Sequence, residues 1–475
     1  MRHWRIRFLA ADSENTGDAA AALRERRRQD LTTGSVPKNL WRLSWPQSVE
    51  GVFNALDQMA DLFWAGQVVG FYAIGGIGVA QAYAHLITMA RTGLDVGMQS
   101  MIARAVGARD FALATHVALQ AFTLTVLISV LIAAAGLALS GPLLGIVGVS
   151  DGVAAATLTY LQLQFIASAV QGFRMSTGGA LQASGEVLLP MKATLLARWV
   201  HIALSPVLIF GWSIFPEMGI AGAAMANIFA QALGAGWNII YLFSGKSALQ
   251  PRLRDYSIDV PLLGRLVKVG APAAGTRIER SVSELVLVRL VTPFGDIALA
   301  SYALTRRLER LTHLGSMGMG RASGILVGQN LGAGKPERAK STLRWAIALV
   351  GISRGAIGLV LFAFPAFFIT IFSRDPDFVE VAVIWIQIQA LAGIVMGGGQ
   401  VLQQSFNLAG DTLAPLVVTF LSQWLLEIPG AFLLTRYTPL DQYGIPVAIG
   451  VSMAVRLALY LAYYLNGRWL KARVL

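Results

Sequence analysis

Apolar runs of roughly twenty residues recur from about residue 41 to residue 466, separated by short stretches rich in Gly, Pro and charge. Each run is long enough to cross a hydrocarbon layer about 30 Å thick, where backbone amides must find their partners inside the protein. Such a chain has two solutions, a helix bundle or a closed barrel, and the alternating ten-residue segments of a barrel are missing. The expected fold is an all-α membrane protein of about twelve transmembrane helices, centred near residues 57, 88, 124, 167, 201, 231, 278, 312, 355, 393, 424 and 455. Composition agrees, with 55% hydrophobic and 13% charged residues, where a soluble domain carries about 25% charged. Mean hydropathy is +0.60.

The net charge is +12, yet the cations do not form a face that could track a nucleic acid. They gather in alternate connections: Arg26, Arg27, Arg28 and Lys38; Arg104 and Arg109; Lys192; Lys246, Arg252 and Arg254; Lys335, Arg338 and Lys340; Arg468, Lys471 and Arg473. The opposite connections hold Arg374 and Arg436. Positive charge accumulates on the cytoplasmic side of membrane proteins, so a multi-pass protein of the inner or plasma membrane with both termini cytoplasmic is expected. Residues 1–38 read as a polar cytoplasmic tail, without the unbroken apolar core of a secretory signal.

There is no cysteine, and five scattered histidines offer no ligand spacing. Nor is there a nucleophile elbow, a His-Asp metal cluster or a Gly-Lys-Ser/Thr phosphate loop. The chain is therefore expected to be no enzyme, to need no cofactor or ATP, and to act as a monomer on small molecules in the lipid bilayer, with no nucleic-acid partner.

The chain also repeats itself. YLQLQFIA (160–167) returns as WIQIQALA (385–392), pairing Gln162 and Gln164 with Gln387 and Gln389 at a spacing of 225. The same spacing relates Gly70 to Gly295, Ala73 to Ala298, AVGARD (105–110) to NLGAGK (330–335), ASGEVLLP (183–190) to LAGDTLAP (408–415), and Trp199 to Trp424, while Pro46 and Pro272 fall one residue off. A duplication places one six-helix bundle at 39–245 and a second at 263–468, with a cytoplasmic linker at 246–262 and a tail at 469–475. Six helices is an even number, so both bundles enter the bilayer with one orientation and are related by an axis along its normal. They enclose a central cleft suited to alternating access. Gln162 and Gln164 lie two apart and cannot share a helical face, so one of them is expected at a helix contact or in the cleft.

Ionisable residues inside a span are costly and mark function or internal pairing. In the first span Glu50, Asn54, Asp57 and Asp61, spaced 4, 3 and 4, fall within an arc of about 60°. That stripe must face the bundle interior or water, where a carboxylate can take a proton or hold sodium through hard oxygen ligands. Arg91 and Asp95 are spaced as an i,i+4 ion pair. In the seventh span Arg277, Arg280 and Glu284 share a face; in the eighth Arg306, Arg310, His313 and Arg321 fall within about 80°. These cations read either as a salt-bridge network or as a second bundle that attracts anions.

WPQSVEGVFNALDQMADLFWAGQVVG (45–70), MIARAVGARD (101–110) and above all ILVGQNLGAGKPERAK (325–340) resemble the multidrug and toxic compound extrusion family. The resemblance spans residues 40–466. It implies a twelve-helix antiporter that exports amphiphilic, mostly cationic organic compounds in exchange for protons or sodium. Asp61, with Gly66 five residues on, takes the place of the family's cation-responsive carboxylate, and it is the one residue that would hold sodium in a sodium-coupled member. The fifth span departs from the pattern: where many prokaryotic members carry Asn and Asp in NxxLDP, this chain reads HIALSP, with His201 and Ser205. A second carboxylate is missing, which favours a proton shared between Asp61 and His201. The coupling residues expected are Asp61, Asp57, His201 and Ser205, and the substrate cleft is expected to include Asn54, Gln162, Gln164, Glu284, Arg306 and Arg310. Lys335 and Arg338 are expected to anchor their loop at an anionic cytoplasmic surface. The alternative, favoured by the arginines, is a flippase or exporter of anionic or lipid-linked cargo.

Overall fold

The computed structural model describes residues 30–472, apart from 69–70, 148–150, 213, 253 and 255. Twelve long helices run through them: α1 (Val36–Val68), α2 (Phe71–Gly107), α3 (Phe111–Val147), α4 (Asp151–Ala183), α5 (Leu188–Phe210), α6 (Ile220–Phe243), α7 (Val260–Val291), α8 (Asp296–Gly332), α9 (Pro336–Ala363), α10 (Pro376–Ala409), α11 (Leu413–Tyr437) and α12 (Gly444–Asn466). Every centre expected from the sequence falls inside one of them. Six, namely α3, α5, α9, α10, α11 and α12, are apolar enough on length and composition alone to cross a membrane. Helices α1, α2, α7 and α8 carry the interior charges that dilute the signal. Helix α11 is widened by a π-helical stretch at Leu421–Glu427, a distortion common at functional sites.

Local chemistry sets the ends. Asp259 and Asp375 cap α7 and α10 by accepting from Leu262 N at 3.0 Å and Phe378 N at 3.0 Å. Gly185 and Gly410, partners at the repeat spacing, follow α4 and α10 with φ of +100° and +95°, the left-handed turn that ends a helix at little cost only for glycine. Gly334 takes φ +68°, and its repeat partner takes +62° although it is Arg109.

The helices form two lobes, α1–α6 and α7–α12, with matched internal packing. Helices α2, α3 and α6 pack on α4 just as α8, α9 and α12 pack on α10. Between the lobes, α1 crosses α8 and α2 crosses α7 and α8. Glycines make these crossings close, and they do so in symmetry-related pairs. A Cβ on Gly107 would sit 2.0 Å from Gln329 O, and one on its partner Gly332 would sit 2.0 Å from Arg104 O. Higher up, a Cβ on Gly93 would reach 2.4 Å from Gly270 O, and one on Gly318 would reach 2.7 Å from Ser44 O. Two side chains cross the same seam, Arg104 Nη2 donating to Ala409 O at 2.8 Å and Gln329 Nε2 to Ala183 O at 2.9 Å. The two lobes are thus sealed together at the face that carries the basic connections.

Residues 30–35 lie over that seal as a clip. Leu31 is 2% exposed in a core cluster where Leu40, Leu43 and Val187 of the first lobe meet the second, a burial that stabilises by about 1.5–3 kcal/mol. Asp30 pairs with Arg109 of the first lobe at 3.4 Å. Lys335 donates to Thr32 O at 3.0 Å and Arg338 to Thr33 O at 2.7 Å from the second lobe. The two cations of the loop motif therefore hold this clip.

Candidate coupling and substrate site

The polar stripe of α1 faces inward, as its spacing requires, and meets α4 and then α5. Glu50 accepts from Gln182 Nε2 of α4 at 3.2 Å. One turn on, Asn54 Oδ1 accepts from Arg198 Nε of α5 at 2.8 Å. Asp57 receives two groups from α5, Arg198 Nη1 at 2.6 Å and His201 Nδ1 at 2.7 Å. The His201 Nε2 lies 3.4 Å from Ala223 O of α6, so both ring nitrogens face acceptors. Arg198 and His201 sit three apart and so share the side of α5 turned to α1. Asp57, Arg198 and His201 are 5%, 8% and 1% exposed at their side chains, so this is a desolvated, charge-assisted cluster. Asp61 continues the stripe by one turn, but its side chain lies outside the described residues. His201 is joined to Asp57. Ser205, a turn further along α5, is buried with an Oγ that has no hydrogen-bond partner among the described residues.

Arg198 was not singled out from the sequence, although a cation in the apolar run LLARWVHIALSP is the intramembrane signal that picked out the α1 acids. Arg174 was missed likewise. It is buried in α4, donating to Gln231 Oε1 at 2.5 Å and Thr194 Oγ1 at 2.8 Å.

Three of the four glutamines of the repeat tie helices together. Gln162 donates to Ser140 of α3 at 3.2 Å, and its partner Gln387 donates to Phe362 O of α9 at 3.3 Å. Gln389 reaches Pro446 O of α12 at 3.3 Å. Gln164 is half-buried. Arg91 and Asp95 do not form the ion pair their spacing suggests. Arg91 instead donates to Ser168 O of α4 at 2.7 Å, and Asp95 Oδ1 is buried without a partner among the described residues.

In the second lobe Arg306 bridges Glu309 at 2.6 Å and Glu284 at 3.1 Å and lies 5.8 Å from the Tyr302 ring centre. Arg354 of α9 continues the network, donating to Ser316 Oγ at 2.7 Å, Thr312 Oγ1 at 3.0 Å and His313 Nδ1 at 3.0 Å. A guanidinium can only donate, so Nδ1 is the acceptor and the ring proton sits on Nε2; the Gln400 atom 2.6 Å away must then be its amide oxygen, an orientation that gives that otherwise partnerless atom a donor. A cavity lined by Glu309, Thr312, Arg354 and Gln389 opens beside this network. At the π-helical stretch, Arg456 of α12 donates to Ser422 Oγ at 2.7 Å and approaches Glu427 at 3.5 Å. Arg310 is exposed, and neither it nor Arg280 makes a hydrogen bond or ion pair among the described residues.

The family model described as MatE matches residues 46–207 and again residues 272–433, one copy in each lobe. The chain belongs to the MatE family of multidrug and toxic compound extrusion transporters. These are multi-pass membrane proteins, and the chain is a member of a multidrug efflux family whose homologues are transporters. Among curated relatives, a probable multidrug resistance protein of Thermotoga maritima is 27% identical over 93% of this chain and 94% of its own length. A protein of Shewanella oneidensis named as an FAD transporter is 23% identical over 86% of this chain and 90% of its own length. Among solved structures, the outward-facing conformation of a multidrug resistance transporter of this family superposes with a TM-score of 0.85 at 21% identity, covering 93% of this chain and 98% of the other. That likeness establishes the fold, two six-helix bundles around a central cleft.

Proposed function

We propose that this MatE transporter exports amphiphilic organic compounds by alternating access in exchange for protons, from a cell membrane in which the basic face and both termini are cytoplasmic. The observation that carries the reading is the Asp57 cluster. Its carboxylate already holds Arg198 and His201 at 2.6 and 2.7 Å. A guanidinium at that distance fills and electrostatically opposes the place a sodium ion would take, whereas a proton exchanged between carboxylate and imidazole needs no extra room. Protonation of Asp57 loosens the hold of α1 on Arg198 and His201 of α5, which is how a bound proton reorganises the first lobe. The closed seal at the basic face supports a rocking cycle, since the lobes are in contact there through surfaces that separate as units. The transporter acts as a monomer with no resident cofactor, and Asp61 lies one turn from the cluster on the same stripe.

Transport in proteoliposomes under separately imposed pH and sodium gradients tests this. Export of a cationic dye is expected to follow the pH gradient alone and to fall at least about tenfold in Asp57→Asn. Equal driving by sodium, or a fully active Asp57→Asn, rejects the proposal.

A second reading, anionic cargo, rests on Arg280 and Arg310 of the second lobe, which have no acceptor among the described residues. A relative named as an FAD transporter is compatible with it. Under that reading Arg280→Gln and Arg310→Gln impair an anionic dye and spare a cationic one; equal loss of both dyes points to a structural role.

A further inference from the structure

The two loop cations expected at an anionic surface, Lys335 and Arg338, are engaged by the clip, and a different pair is left free for such a surface. The first turns of α1 carry Lys38, Trp41, Arg42 and Trp45, whose spacing gathers them within an arc of about 100°. All four are exposed, Trp41 by 66% and Trp45 by 37%. Lys38 and Arg42 make no hydrogen bond or ion pair among the described residues. No acid occurs between Asp30 and Glu50, and Glu50 is buried. The opposite side of the same turns is closed, with Leu40 and Leu43 in the core cluster where the lobes meet.

The exposed stripe does not stop at the charges. Val52 and Leu56 continue it, about 10 and 16 Å along the helix from Trp45. Cations, then indoles, then aliphatic side chains is the order in which a phospholipid presents phosphate, ester and acyl chain from the surface inward. The second lobe supplies a comparison. Gly93 approaches Gly270, and its duplicate Gly318 approaches Ser44, so α7 matches α1 here at a spacing of 226. The α1 stripe then corresponds to Gly264, Val267, Lys268 and Ala271, which are exposed as well. Both lobes turn this face outward, but the α7 stripe carries one cation and no indole.

We propose that the start of α1 is a binding site for a phospholipid with an anionic headgroup, in the leaflet at the basic face. Lys38 and Arg42 hold the phosphate, Trp41 and Trp45 flank the ester region, and Val52 and Leu56 line the acyl chains. A soluble acidic peptide or a polynucleotide would match the cations and not the apolar run below them, so the occupant is amphipathic. The site goes beyond the exchange reaction and stands whichever ion drives it. A lipid held there ties to the bilayer a helix whose other side packs between the lobes.

The chain has no cysteine, so a fluorophore can be placed on Cys at Val49, one turn beyond Trp45, in the full-length protein. Phosphatidylglycerol or phosphatidylcholine, spin-labelled on an acyl chain and titrated into phosphatidylcholine vesicles, quenches it when bound alongside. Phosphatidylglycerol is expected to reach half-quenching at a lower mole fraction than phosphatidylcholine. Lys38→Gln and Arg42→Gln are each expected to raise that mole fraction about fivefold. Both fall on exposed side chains, and unchanged quenching by phosphatidylcholine confirms an intact helix. The same fluorophore at the matching Gly275 of α7 is expected to distinguish the two lipids less. Equal quenching by both lipids at Val49 overturns the site. An equal preference at Gly275 overturns it too, since the attraction would then belong to the whole basic face. So does a face shielded from both lipids by a second copy of the chain, seen as a cross-linked dimer.

Discussion

In the first lobe the buried charges around Asp57 close on one another across two helices, α1 and α5; in the second they run as a chain from Glu284 on α7 through Arg306, Glu309 and His313 on α8 to Arg354 on α9 and Gln400 on α10. The duplicated positions make the divergence plain. Asn54, Asp57, Arg198 and His201 correspond to Arg280, Ser283, Gln423 and Leu426, while Arg306 and Glu309 correspond to Gln81 and Ala84. The scaffold repeats where the interior does not. Gln162 and Gln387 tie equivalent helix pairs, Gly107 and Gly332 make equivalent close approaches, and Gly185 and Gly410 end equivalent helices. Helix packing and turns constrain backbone positions that a twofold arrangement uses twice, whereas each lobe is free to partner its buried polar groups in its own way.

The largest expected effect breaks that contrast at Arg306. Arg306→Met leaves Glu309 uncompensated and is expected to lower stability by about 3–5 kcal/mol, whereas adding Glu309→Leu recovers most of the loss. Thermal unfolding in detergent measures both, and a single variant as stable as wild type removes the network from the second lobe's core. Next come the symmetric glycines. Gly107→Leu and Gly332→Leu each drive a side chain into a backbone carbonyl, at about 1–3 kcal/mol against the sealed state. The two should open the basic face equally by interlobe distance, and an effect from one alone breaks the equivalence of the seam. Gln162→Leu and Gln387→Leu each lose a single hydrogen bond and should cost about 0.5–1.5 kcal/mol apiece with transport retained. A selective transport defect in Gln162→Leu would return that residue to the cleft. The smallest change sharpens the comparison of the two basic-face loops. Arg109→Gly relieves a left-handed backbone that Gly334 holds without strain, and should gain about 1 kcal/mol, less what the exposed Asp30 bridge contributes; a clear loss would mean that the bridge outweighs the strain.

Much of this was legible from residue order. Apolar runs set the helices, the spacing of 225 revealed two lobes, and the 4, 3, 4 spacing on α1 pointed Glu50, Asn54 and Asp57 inward. Partners were harder, because pairing across helices depends on rotation and depth, which one helix's periodicity does not encode. Arg91 is four residues from Asp95, yet α4 offers it Ser168 O at 2.7 Å, and the i,i+4 geometry loses to a carbonyl that needs a donor. His201 is joined to Asp57, while its expected pairing with Asp61, one turn on, falls on a side chain outside the described residues. The π-helical stretch of α11 leaves no mark in hydropathy. Lys335 and Arg338 belonged to a recognisable loop, but their partners lie some three hundred residues earlier, in a segment whose composition announces only polarity.

That early segment changes how the chain should be handled. Leu31 is buried where the lobes meet, Asp30 grips the first lobe and Lys335 and Arg338 of the second hold Thr32 and Thr33, so whatever is attached upstream of Asp30 becomes a lever on the parting line. Tension applied there, by a fused reporter or by a surface that binds the arginine-rich stretch before it, would pry at the closed end of the pathway from outside the bilayer.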